Sequence, residues 1–142
     1  MNHSPAQIFQ QLLADLSLGS LPDDMNDWPV YVGGIPDAPE ELIVVSDAGG
    51  VSGSKGMTGQ KTDYGAVQVR ARSIEYDTVW QKIEAVRAAL DSSVYKTSVT
   101  VDSTSYIVVN FSRTGPITFM GVDPNTRAFN FVLNGRATIR TS

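Results

Sequence analysis

The stretch Asp63–Leu90, DYGAVQVRARSIEYDTVWQKIEAVRAAL, decides the fold. Val67, Val69 and Ala71 alternate with Gln68, Arg70 and Arg72. Successive strand residues point to opposite faces, so this is a strand with one apolar and one basic row. After a short turn, Val79, Ile83, Val86 and Leu90 recur at i, i+4, i+7 and i+11, a single stripe of an amphipathic helix. The unit predicts a helix lying back across a sheet, with Asp77 as N-cap and Asp91-Ser92-Ser93 as its end. A row of long cationic side chains on a rigid strand suits a binding surface better than an active site.

Towards the N-terminus, Asp47–Asp63 (DAGGVSGSKGMTGQKTD) holds five glycines and almost no large apolar residue. It is expected to be a long unstructured loop, a flexible arm carrying Gly49, Gly50, Lys55 and Lys61 that orders on contact with a partner. Before it, Leu42–Ser46 is a short apolar run, expected to be a buried strand, and Val30–Val32 a short extended piece. Ser4, Pro5 and Gln7 spell a capping box with proline at the first helical position. Ile8, Phe9, Leu12, Leu13 and Leu16 supply that helix's apolar stripe, and Gly19 its expected stop.

Towards the C-terminus, Val99–Val101 and Tyr106–Phe111 read as strands around a turn at Asp102-Ser103. Ile117–Val122 is a further strand, followed by a turn at Asp123-Pro124-Asn125-Thr126. Asn134-Gly135 is a hairpin dipeptide. Yet Phe129, Phe131, Leu133, Ala137 and Ile139 keep one parity through it, which predicts one long strand from Arg127 to Thr141. That strand adds a second basic row, Arg136 and Arg140. The expected class is α+β, a mostly antiparallel or mixed sheet with both helices on one face and a long Gly-rich loop, in one domain spanning 1–142.

Composition narrows the function. The chain has 142 residues and a net charge of −4, from 11 basic and 15 acidic residues. Residues 1–54 hold eight carboxylates and no Lys or Arg, so −8, and the remainder carries 11 basic and 7 acidic residues, so +4. Such asymmetry suits pairing between unlike surfaces, although an acidic set of solvated loops is the simpler alternative. No cysteine is present, which excludes disulfides, thiolate nucleophiles and Cys-ligated zinc. The first residues lack the basic-then-apolar pattern of a secretory signal, and no apolar run approaches membrane-helix length, so no membrane partner is expected.

Catalytic constellations fail one by one. Gly53-Ser54-Lys55-Gly56 lacks the Gly-Lys-Ser/Thr order of a phosphate loop. His3 is the sole histidine, expected to be solvated, so triads and zinc sites lack parts. Asp23-Asp24 and Glu40-Glu41 fit solvated loop charges, and Trp28 and Trp80 fit packing roles. No cofactor, metal or enzyme activity is expected. Gln68, Arg70, Arg72, Arg136 and Arg140 are the candidate interface or lumen residues, though strand faces toward solvent are often charged.

Asp47-Ala48-Gly49-Gly50 after an apolar strand resembles the D-x-G-G turn of the tail-terminator (minor capsid-like) proteins of long-tailed bacteriophages. The block Val67–Arg72 with the helix segment Ile83–Leu90 is similar to that family's strand–helix unit. Gly115-Pro116, Phe119-Met120-Gly121 and Phe129-Asn130-Phe131 resemble its C-terminal end, so the likeness spans nearly the whole chain. The proline-rich stretch expected after the turn is missing. The resemblance implies a virion protein that forms a ring, typically a hexamer, on the head-proximal end of the tail tube. It would be assembled in the host cytoplasm, stop tube polymerisation and present a head-attachment surface. Implied partners are further copies of itself, the tail-tube protein, a head-completion or connector protein, and DNA passing through the lumen without sequence specificity. The alternatives are another head–tail connector or neck completion protein, or a non-viral α+β ligand-binding module.

Overall fold

The computed structural model describes residues 3–22, 27–36, 40–55 and 61–141. In chain order the elements are α1 (Pro5–Asp15), β1 (Val30–Val32), β2 (Leu42–Lys55), β3 (Lys61–Ser73), α2 (Tyr76–Ser93), β4 (Tyr95–Val101), β5 (Thr104–Arg113), β6 (Thr118–Val122) and β7 (Phe129–Thr141). The strands form one mixed sheet in the order β1-β2-β3-β7-β5-β4, with β6 on β7 beyond the end of β5. Only β1–β2 is parallel among the strand pairs. The α+β class expected from the sequence is the fold observed.

Both helices lie on one face of this sheet. Ile8, Phe9, Leu12 and Leu13 of α1 and Val79, Ile83, Val86 and Leu90 of α2 share one core with Val67, Val69 and Ala71 of β3 and Phe131, Leu133, Ala137 and Ile139 of β7. The capping box forms as read: Ser4 Oγ accepts from Gln7 N, and Gln7 Oε1 accepts from Ser4 N. The helix ends earlier than Gly19. Ser17 takes the left-handed position (φ 60°), while Gly19 lies where a Cβ would strike the Val30 side chain and the Trp28 carbonyl. α2 begins before Asp77, which falls in its first turn, and Glu75 is the N-cap.

β7 runs unbroken through Asn134-Gly135. A hairpin is unnecessary there because β3 and β5 pair with β7 on its two sides, and the Phe111 ring lies against Gly135 where a side chain would sit.

The stretch expected to be an unstructured loop is instead mostly strand. β2 continues to Lys55, β3 starts at Lys61, and the two pair antiparallel as a hairpin arm. The supposed D-x-G-G turn is a bulge within β2. The register shifts between Asp47 and Gly50, and Gly49 takes φ 95°, which glycine adopts without strain. Asp47 Oδ1 accepts from Ala6 N at 2.9 Å, satisfying one of the unpaired donors in the first turn of α1.

Candidate assembly surfaces

Gln68, Arg70, Arg72, Arg136 and Arg140 all lie on the sheet face opposite the helices. Over Thr62–Arg72 of β3 and the paired Asn130–Arg140 of β7, the positions of that phase carry four arginines and no carboxylate. They do not form one matched row. Arg70 pairs with Val132 and Arg136 with Ala66, four residues further along β3, or roughly 13 Å at a strand's rise.

Burial separates the two pairs. Arg72 is 1% exposed, among buried Leu42, Val44, Asn130 and Val132 of the same face, and its Nε donates to the Glu40 carbonyl at 3.4 Å. The expectation of two exposed guanidinium groups on β3 is therefore corrected. Segment 40–41 and the β6–β7 turn close over that end of the sheet, so Arg72 serves the fold. Arg70 and Gln68 are half-buried. Arg70 lines a groove of about 330 Å³ together with Ile35, Met120, Val122, Asp123 and Asn130. The Asn125 backbone N–H donates to the Asp123 carboxylate and, with the nearby Arg72 charge adding, holds its pKa below the usual aspartate range.

Arg136 is exposed and Arg140 half-buried. Among the described residues neither joins an ion pair. Arg140 Nε is buried without a hydrogen-bond partner among those residues.

The acidic first third is partly neutralised within the chain. Lys82 of α2 sits over the Trp28 ring at 5.3 Å, and the carboxylates of Asp27 and Glu41 oppose the lowering of its pKa by burial. Asp23 and Asp24 lie outside the described residues. His3, expected to be solvated, is 12% exposed at its side chain. Its Nδ1 lies 2.7 Å from the Tyr106 hydroxyl and its Nε2 3.4 Å from Asp102 Oδ2, so it fastens the start of α1 to the β4–β5 turn. Arg87 and Arg113 share Asp91, tying α2 to β5.

A surface missed by the sequence reading lies at the start of α2. Tyr76, Trp80, Phe119, Phe129 and Phe131 form a ring-on-ring cluster with centroids 5.2 to 6.4 Å apart. Phe119 is 47% exposed and Met120 53%, and Ile74, Tyr76, Trp80 and Val122 are also exposed. An exposed aromatic cluster of this kind marks an interaction site more often than a stray exposed residue does. The available signal was Phe119-Met120 in a strand with no charged residue. The arm residues Gly49, Gly50, Lys55 and Lys61 lie along the β2–β3 hairpin, remote in sequence from this cluster. Among the described residues no cluster of His, Asp and Glu is arranged to hold a metal ion, and no helix is long and apolar enough to cross a membrane.

A family profile described as bacteriophage tail terminator protein matches residues 12–130. No curated protein matches the sequence. Among solved structures, a chain from the virion of a native gene transfer agent particle superposes with a TM-score of 0.52 at 16% identity, over 94% of this chain and 91% of that one. At that identity the likeness is one of fold.

Proposed function

The chain belongs to the bacteriophage tail terminator family, a structural component of the phage tail, and from that premise we propose that it closes the head-proximal end of the tail tube as a hexameric ring. In this role it stops tube polymerisation and presents the surface to which the head attaches. Residues 1–142 act as one folding unit, with no catalytic step and no cofactor. A closed ring requires heterologous contacts, one patch of a copy meeting a different patch of the next. The observation that carries this reading is the exposed aromatic and aliphatic side chains around Phe119 and Met120. Arg136 and Arg140, with no carboxylate at the in-phase positions of β3 and β7, suit a lumen wall facing DNA phosphates through charge alone. Size-exclusion chromatography with light scattering, followed by electron microscopy with and without purified tail tubes, tests the proposal. Closed rings, free or seated on tube ends, are expected. Tubes that keep growing at full rate in an excess of the protein would refute it.

A further inference from the structure

The outer strand edges of this sheet are unequal. β1 is three residues long, and β4 carries Lys96 with serine and threonine, two ordinary ways of discouraging a foreign strand. β6, five residues long with a register shift between Phe119 and Gly121, lacks the charge that guards β4. Among the described residues it pairs with β7 on one side only; it has no charged residue, and exposes Phe119, Met120 and Val122 by about half. A second edge belongs to β2, whose distal half carries Asp47 and Lys55 and two register shifts. Its outer side meets β1 only across Ile43–Val45, which leaves Ser46–Lys55 without a strand on that side among the described residues. β6 flanks β7 and β2 flanks β3, with β3 and β7 between them, so these two edges face away from each other. Within one chain they cannot pair. Between copies they are the two unlike patches that a heterologous contact needs.

We propose that the distal half of β2, Ser46–Lys55, docks along β6 of a second copy, so that the sheet continues from subunit to subunit. The inference rests on the ring reading above and specifies its contact. Backbone hydrogen bonds between strand edges supply affinity, and the apolar side chains of β6 supply specificity, as in β-strand addition generally.

The absence of cysteine makes disulfide trapping direct. Protein carrying Met120→Cys is mixed with protein carrying Ser52→Cys or Ser54→Cys, assembled with or without tube ends, and oxidised. The expected result is a disulfide-linked dimer in the ring fraction, and none when Ser98→Cys on β4 replaces Met120→Cys. Rings that form without the β2–β6 cross-link overturn this inference and leave the ring reading standing. Monomers under every condition, tube ends included, overturn both. A second variant, Met120→Glu with Val122→Glu, is expected to cut the ring fraction at least tenfold while the melting temperature stays within a few degrees. Undiminished rings from that variant refute the proposed contact.

Discussion

Gly135 shows how one residue directs its neighbours. A Cβ there would meet the Phe111 ring and lie 2.9 Å from the Ser112 carbonyl. Gly135→Ala is expected to destabilise the protein by about 2 kcal/mol through overpacking, with partial recovery when Phe111→Leu is added, as read from urea unfolding. Asp47 and Ser4 serve the same helix start from two directions. Ser4→Ala should cost about 1 kcal/mol, the usual effect of losing an N-cap. Arg72 and Arg136 look alike in sequence and should behave differently. Arg72→Glu places an acid in a buried site and is expected to prevent folding, whereas Arg136→Glu should change stability by no more than about 0.5 kcal/mol in thermal melts. Asp123 has a pH consequence. Its folded pKa lies below the ordinary aspartate value, so its contribution is fully present above that value and is lost as pH falls through and below it. The urea midpoint of Asp123→Asn should therefore fall less steeply in acid than that of the parent.

Among the elements, α2 was the most legible, because four apolar residues at helical spacing admit one buried face. Ile83 lies at the centre of that face, and Ile83→Ala is expected to cost about 3 kcal/mol in chemical denaturation. The unbroken phase of β7 was legible for a similar reason, since period-2 burial on one face specifies a strand across a dipeptide that elsewhere turns. The β2–β3 arm was not legible. Its glycines and serines carry no periodic apolar signal, and its strands exist because β3 pairs with β7 as far as Thr62 and gives β2 a template. The aromatic cluster was missed because its members come from α2, β6 and β7, and only the sheet register sets Phe119 opposite Phe131.

At the scale of the whole molecule, the structure is one sheet with helices on one face and a basic, carboxylate-poor stretch on the other. Among the described residues it leaves one apolar edge strand and one unpaired arm edge on opposite sides. The charge split between residues 1–54 and the rest appears less as two outer patches than expected, because Lys82 meets Asp27 and Glu41 of the acidic third within the chain. The remaining polarity is one of edges and faces. That is the asymmetry a head-to-tail ring uses and an isologous dimer does not.

The sequence by itself determined the helices, the phase of β3 and β7 and the α+β class. These depend on residue type and local spacing, which are written along the chain. Only the tertiary structure decided which arginines reach the surface, that the described part of the glycine-rich stretch is a paired arm, and that β6 carries exposed apolar side chains. Burial and strand pairing join residues far apart in sequence, so the environment of Arg72 or Phe119 is set by segments that its own neighbours do not encode.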